Sequence, residues 1–174
     1  RKKFNIPIVG IEPAIKPAML ETKSNNIGVL ATEKTLSSNL FLKTSDRFSK
    51  GINIHEQIGF DLVKIIEENG INEELLIPKL REYIEPMLKK NIDHLVLGCT
   101  HYYYLVYLLK KILPNGVKIL DSSRAVTKRV QNLLKDYNIN SNTSKANNIF
   151  LCTGNDNIIK KFLSSNDKIS KINL

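Results

Sequence analysis

The stretch His94-Leu-Val-Leu-Gly-Cys-Thr-His-Tyr102 decides how the rest of the chain is arranged. Its apolar run, 94–97, predicts a short strand that is buried on both faces. Residues 103–113 have the apolar spacing of an amphipathic helix, so Cys99-Thr100-His101 falls in the turn between strand and helix. In a parallel sheet, ligands bind at such turns, beyond the carboxyl ends of the strands. We therefore expect a functional site at this turn.

Short apolar runs alternate with segments of helical spacing along most of the chain, which predicts an α/β fold with a mostly parallel sheet. Besides 94–97, strands are predicted at 6–11, 27–31, 52–55, 117–120 and 149–152. Helices are predicted from Pro13 and Pro17, after Thr32, over 60–68, over 72–90 with a kink or break at Pro78 and Pro86, after Asp121 and over 158–163. Four residues directly follow strands, and those whose strands share a sheet would lie on one rim: Thr32, Cys99, Asp121 and Thr153.

The composition is that of a globular protein. The chain has 174 residues, of which 42% are hydrophobic and 25% charged, and this suits one α/β domain or somewhat more. No apolar stretch is long enough to span a bilayer and no signal peptide is recognisable, so we expect a cytoplasmic protein without a membrane partner. The two cysteines, Cys99 and Cys152, fit no disulfide framework, and we expect both to be free thiols.

A formal net charge of +9 is typical of nucleic-acid-binding proteins, so this class has to be considered. The lysines are nevertheless scattered through predicted helices, mixed with glutamate, and the chain has no arginine-rich arm. We interpret the charge as a solvated surface that at most helps to attract a small anionic substrate. The sequence thus predicts no nucleic-acid partner.

Cys99 is the strongest candidate for chemistry. At a helix N-terminus, the helix dipole and the unpaired N–H groups of the first turn favour the thiolate, and a protonated His101 would add to this effect. The sequence therefore predicts a lowered pKa for Cys99. The alternative, a small buried apolar cysteine, suits Cys152 better because that residue lies within a predicted strand.

Two kinds of reaction remain open for a neighbouring cysteine and histidine. Nucleophilic acyl transfer would require an oxyanion hole and an orienting Asn or Asp, which the sequence does not locate. Proton transfer at carbon would require a tightly held carboxylate substrate in a site without water, since a thiolate is only modestly basic. A metal site is disfavoured because few further ligands accompany Cys99 and His101, and the glycines form no phosphate-binding pattern, so we expect no metal and no nucleotide cofactor.

The motif Gly98-Cys-Thr-His-Tyr102 after a Leu-Val-Leu strand resembles the second catalytic motif of the glutamate racemases, members of the cofactor-independent aspartate/glutamate racemase family. The resemblance runs in order over nearly the whole chain. It includes Ile6-Pro-Ile-Val-Gly-Ile-Glu-Pro-Ala14, Ile27-Gly-Val-Leu-Ala-Thr32 with Thr35, Ile65-Ile-Glu67, Asp121-Ser122 and Thr153-Gly154. The chain departs from the family pattern at Tyr103, where a proline is usual, and at Gly59-Phe60, where Cys-Pro is often found.

The resemblance implies racemisation of glutamate by two bases, one on each face of Cα, without a cofactor, to supply D-glutamate for peptidoglycan. Cys99 would be one base, assisted by His101, and Glu67 would orient that histidine. Thr100 would hold the substrate carboxylate beside His101. Thr32 would face the substrate or simply cap a helix. The implied partner is glutamate alone, and a homodimer is a possible assembly.

The family has two similar α/β domains, and its chain returns to the first after completing the second. The resemblance therefore assigns residues 1–12 to the end of the first domain, 13–121 to the second, and 122–174 to the return segment. The family's first catalytic cysteine lies in a Cys-Asn-Thr motif that this sequence lacks, and the chain starts at Arg1 without a methionine. We expect an N-terminally truncated chain that is inactive alone.

Two alternatives to a glutamate racemase stay open. One is a racemase of the same family that acts on aspartate or hydantoins, because the residues that bind the substrate side chain are not evident from the sequence. The other is a non-catalytic basic binding protein, against which the intact Cys99-Thr100-His101 argues.

Overall fold

A computed structural model describes residues 4, 6–48, 51–139, 148–154, 156–160, 163–164 and 167–173. Its centre is a four-stranded parallel sheet in the order β2-β1-β3-β4, and a parallel pair, β5 and β6, forms a second sheet. This confirms the predicted α/β class. The strands are β1 (Asn26–Ala31), β2 (Asn53–Ile58), β3 (His94–Gly98), β4 (Lys118–Leu120), β5 (Ile149–Cys152) and β6 (Lys168–Lys171).

Helices connect the strands. They are α1 (Ile15–Glu21), α2 (Glu33–Leu36), α3 (Asn39–Phe48), α4 (Leu62–Asn69), α5 (Glu73–Leu88), α6 (Val106–Ile112), α7 (Ser123–Asp136) and α8 (Asp156–Lys160), with a 3₁₀ helix at Thr100–Leu105. In the part of the chain that the structure describes, none of these helices combines the length and apolarity that a membrane crossing would need.

Strands β1 and β3 lie at the centre of the sheet and are buried on both faces. On one face, Leu30, Leu95 and Leu97 pack with α4, α5, α6 and the 3₁₀ helix. On the other, Val29 and Val96 pack with α1, α2 and α3. Each buried aliphatic side chain stabilises the fold by about 1.5–3 kcal/mol. Continuous apolar runs are the signature of such doubly covered parallel strands, which is why the sequence identified both.

The predicted break in the helix over 72–90 is wrong, because α5 is a single helix that contains both Pro78 and Pro86. The Asn72 side chain caps it by accepting a hydrogen bond from the Leu75 N–H at 3.2 Å. Both prolines face solvent, whereas the opposite side of the helix is held in the core. Packing of that apolar side outweighs the backbone hydrogen bonds that proline cannot make.

The strand predicted over 6–11 is also wrong: residues 7–13 have no regular secondary structure. Ile6 and Ile11 are 66% and 58% exposed. No described strand pairs with this segment, so its N–H and C=O groups have no ladder to join. The described part of α8 is Asp156–Lys160, and residues 161–162 of the helix predicted over 158–163 lie outside the described residues. Residues 1–3 and 5 of segment 1–12 and residues 140–147 of segment 122–174 also lie outside them.

Asp93, just before β3, ties the end of α1 to the sheet. Its carboxylate accepts hydrogen bonds from the Thr22 hydroxyl at 2.7 Å and from the backbone N–H groups of Lys23 and Ser24 at 2.6 and 2.9 Å. The His94 ring nitrogen Nδ1 lies 2.7 Å from the same carboxylate. Burial alone would raise the pKa of Asp93, but these four bonds outweigh it and hold the pKa well below its ordinary range.

We predict that Asp93→Asn lowers the free energy of unfolding at pH 7 by about 1–3 kcal/mol, because it replaces charge-assisted hydrogen bonds by weaker ones. The pKa of this carboxyl is lower in the folded than in the unfolded protein, so its stabilisation is present above the unfolded value and is lost as pH falls through the folded value. The difference from wild type should therefore shrink below about pH 4. Urea unfolding across this range measures it.

The exposed Asp136, at the end of α7, provides the matched control. Asp136→Asn should leave the unfolding midpoint within experimental error of wild type. Equal destabilisation by the two substitutions would contradict the anchoring role of Asp93.

Candidate active site

The site turn, residues 98–102, follows β3 at the carboxyl edge of the sheet. Gly98 ends the strand where β1 and β3 approach closely, and a Cβ atom there would lie 2.6 Å from the Ala31 Cβ. The helix predicted from Tyr103 begins differently: Thr100–Leu105 is a 3₁₀ helix, and α6 starts only at Val106. The residue before this 3₁₀ helix is Cys99, in extended backbone conformation.

Cys99 and Thr100 open into a cavity of about 520 Å³. The cavity lies beyond the ends of β3 and β4, where the sequence predicted a binding rim. Asp121, after β4, belongs to it as expected. Thr35, Tyr104 and Ser123 also line it and were not predicted as site residues, although the spacing of Thr35 from Thr32 was a usable signal.

The lowered pKa predicted for Cys99 is wrong. Burial raises the pKa of this thiol above its ordinary value, and hydrogen bonds from the backbone N–H groups of His101 and Tyr102 reduce that rise without reversing it. The dipole and unpaired N–H groups of an α-helical N-terminus would have lowered the pKa. Instead, the cysteine precedes a 3₁₀ turn and packs against the core that includes Leu97.

His101 and Glu67 meet although they are 34 residues apart in sequence. The His101 Nε2 lies 3.0 Å from the Glu67 Oε1, and each side chain is about one-third exposed, at 32% and 33%. With Glu67 as a carboxylate, Nε2 carries the hydrogen of this bond. Helix α4 supplies Glu67, and its Leu62 and Ile66 are fully buried, so the carboxylate stands on a fixed element.

Thr32 caps helix α2. Its hydroxyl accepts a hydrogen bond from the Thr35 N–H at 3.3 Å and lies 2.9 Å from the Thr35 hydroxyl. Thr32 and Glu67 line a separate groove of about 410 Å³ that also contains Phe60. Of the two threonines, the one that lines the Cys99 cavity is therefore Thr35.

Among the described residues, no group of three or more His, Cys, Asp or Glu side chains is arranged to hold a metal ion. The second cysteine, Cys152, ends β5 in the smaller sheet and is a free thiol like Cys99. The chemistry that this arrangement supports is proton transfer by a thiol, with an imidazole and a carboxylate linked beside it.

Residues 1–130 match the model of the family described as Asp/Glu/Hydantoin racemase. The chain belongs to this family. It is 35% identical over 154 residues to the glutamate racemase of Ralstonia pickettii (strain 12J), covering 88% of this chain and 55% of that protein. It is 41% identical over 128 residues to the glutamate racemase of Pseudomonas syringae pv. tomato, covering 74% and 46%. The chain thus spans about half the length of these relatives.

Solved structures of family members share the fold. The glutamate racemase of Escherichia coli in complex with L-glutamate and the activator UDP-MurNAc-ala superposes with a TM-score of 0.82 at 27% identity, over 99% of this chain and 67% of that one. A glutamate racemase isoform from Bacillus anthracis gives a TM-score of 0.83 at 25% identity, with the same coverage. The chain therefore has the fold of this racemase family, as the resemblance of the site turn implied.

We predict that Cys99 is alkylated slowly at neutral pH, because burial raises its pKa and leaves little thiolate. In a Cys152→Ser variant, the iodoacetamide rate should rise with pH along a curve whose midpoint lies above that of N-acetylcysteine measured in parallel. A midpoint at or below that of the free thiol would show that the N–H groups and His101 outweigh burial.

We predict that Thr32→Ala lowers the free energy of unfolding by about 1 kcal/mol through loss of the helix cap, whereas Thr32→Ser retains most of it. Chemical unfolding of the three proteins measures the difference. If Thr32→Ala left stability unchanged, the capping role would be refuted.

Proposed function

We propose that this chain is part of a glutamate racemase that interconverts L-glutamate and D-glutamate without a cofactor. The observation that carries the proposal is the Cys99 cavity at the carboxyl edge of the sheet, followed in the same turn by His101, which lies 3.0 Å from Glu67 of α4. The relatives at 35–41% identity that are named glutamate racemases support this substrate over others.

In the proposed reaction, the Cys99 thiolate removes the Cα proton from one enantiomer and the electron pair of the C–H bond stays on the substrate. An acid on the opposite face then returns a proton to Cα, which inverts the configuration. In the reverse direction, Cys99 is the acid. Burial suits both roles, because the raised pKa makes the thiolate a stronger base even though it lowers the thiolate population.

His101 assists Cys99 by exchanging its proton, and Glu67 orients the imidazole through the bond to Nε2. Thr100, which lines the cavity next to Cys99, binds the substrate carboxylate together with His101. Thr32 has an indirect role, because its hydrogen bond to Thr35 positions that residue, which lines the Cys99 cavity. Thr32 was expected either to face the substrate or to cap a helix; it caps α2, and its contact with Thr35 is the route by which it would act on the substrate.

The domain division at residues 13 and 121 is part of the proposal. Among the described residues, the members of both core clusters lie within 14–120, which supports a single α/β domain over 13–121. Residues 1–12 and 122–174 would then belong to a first domain that carries the opposing acid/base. We further propose that the complete enzyme acts in the cytoplasm, supplies D-glutamate for peptidoglycan, and forms a homodimer.

The proposal predicts that the complete protein exchanges the Cα proton of L- and D-glutamate in D₂O and that the 174-residue chain alone does not. Cys99→Ala in the complete protein should lower kcat by about 10²–10⁴-fold, the usual contribution of a positioned acid/base. Circular dichroism follows racemisation and NMR follows exchange. Turnover of both enantiomers by the chain alone would refute the two-domain division of the reaction.

The same assay with aspartate and with hydantoins separates this proposal from its alternatives within the family. A preference for either substrate over glutamate would move the assignment to that racemase. Absence of exchange with all three, together with salt-sensitive retention on DNA that Cys99→Ala leaves intact, would instead favour a basic binding protein.

A further inference from the structure

Tyr102, the last residue of the site turn, is fully buried, and its ring reaches across to the loop between β2 and α4. Its hydroxyl donates a hydrogen bond to the Gly59 carbonyl oxygen at 3.0 Å, over a sequence separation of 43 residues. This loop leads directly into α4, the helix that supplies Glu67. The turn therefore makes two contacts with this region, through Tyr102 to Gly59 in the loop and through His101 to Glu67 in α4.

Gly59 leaves just enough room for the phenol. A Cβ atom at this position would lie 2.4 Å from the Tyr102 hydroxyl and 2.7 Å from the Leu62 Cδ1. The Gly59 N–H is also fixed, because it donates to the Ala31 carbonyl at 2.9 Å. The carbonyl that receives the tyrosine is thus anchored to the central sheet.

The backbone of Tyr102 contributes to the site as well. Its N–H donates to the Cys99 carbonyl at 3.1 Å. The N–H groups of His101 and Tyr102 also lower the pKa of the Cys99 thiol, against the larger effect of burial. The buried ring and the backbone bond therefore both restrain the turn that carries Cys99.

We propose that Tyr102 is a positioning residue for the proposed racemase reaction: its hydrogen bond to Gly59 holds the conformation of the site turn in which the Tyr102 N–H bonds the Cys99 carbonyl and His101 meets Glu67. The inference rests on the proposed function for its consequence in catalysis. Its geometric part concerns Cys99 and His101 and is testable without turnover.

The protonation state of the phenol fits this role. Burial, with additional effects of the neighbouring Cys99 and Tyr83, raises the pKa of Tyr102 well above its ordinary range. A raised pKa favours the protonated phenol, and the protonated phenol is the form that donates to the Gly59 carbonyl.

Tyr83 offers a matched control. Its hydroxyl donates to the next carbonyl of the same loop, that of Phe60, also at 3.0 Å, but it comes from α5 instead of the site turn. Tyr83→Phe and Tyr102→Phe thus remove the same chemical group from the same loop. Only the second removes an anchor of the turn that carries Cys99.

The test measures iodoacetamide alkylation of Cys99 against pH in the Cys152→Ser chain and in its Tyr102→Phe and Tyr83→Phe derivatives. Tyr102→Phe should move the midpoint to higher pH and slow alkylation at pH 7 roughly three- to tenfold, the effect of weakening one hydrogen bond to the thiolate. Tyr83→Phe should leave the midpoint unchanged while lowering Tm by a similar amount.

Equal midpoints for the two phenylalanine variants would overturn the proposal, since Tyr102 would then be one more core residue. Should Tyr102→Phe not fold, the NMR titration of the His101 ring in Gly59→Ala, whose added methyl displaces the tyrosine, provides the second measurement. An unchanged His101 titration in that variant would also overturn the proposal.

Failure of the positioning role of Tyr102 can be distinguished from failure of the racemase proposal. If the midpoint shifts but the complete protein fails to exchange the glutamate Cα proton, the positioning role stands and the reaction is wrong. If the complete protein racemises glutamate and its Tyr102→Phe variant keeps the kcat profile against pH, the reaction stands and the positioning role fails.

Discussion

Burial of β1 and β3 on both faces is the constraint on which the remaining structure depends. The two strands lie side by side in parallel, with Leu30 opposite Leu97 and Ala31 opposite Gly98. Helices must cover both faces, and parallel connections must return each strand to the same edge. The ends of these strands consequently bring Thr32 and Cys99, far apart in the chain, to one edge of the sheet. The location of the site is thus a consequence of how the central strands are buried.

The sequence was sufficient for this central part of the fold and for the location of the site. The runs at 27–31 and 94–97 are apolar without interruption, a pattern that few structures other than a buried parallel strand accommodate. Residues 6–11 have a similar pattern, yet they do not form a strand, because pairing depends on a neighbour that periodicity cannot supply. In α5, packing of one side likewise overrode the local preference of Pro78 and Pro86. Local sequence patterns predicted the secondary structure correctly where the tertiary contacts favoured the same conformation.

Within the candidate site, the sequence identified the residues of the proposed reaction but not the direction in which the pKa of Cys99 is shifted. Cys99, Thr100 and His101 are adjacent in the chain, so their proximity needed no structure. The direction of the Cys99 pKa depends instead on burial, and burial depends on how the turn packs against distant residues. Tyr102 illustrates the same limit: the motif contained it, but only the fold shows that its hydroxyl reaches Gly59.

The Asp93 anchor has a consequence for how the chain folds in time. The bond from Thr22 to Asp93 closes a separation of 71 residues, and β1 pairs with β3 over a similar distance. Contacts of this range form slowly, because a long segment must be ordered before they contribute stability. During synthesis, β1 therefore leaves the ribosome well before its central partner is available. Until β3 emerges, the apolar side chains of β1 lack the strand that lies beside them in the folded protein, so pairing of the two central strands waits for the segment that leads into Cys99.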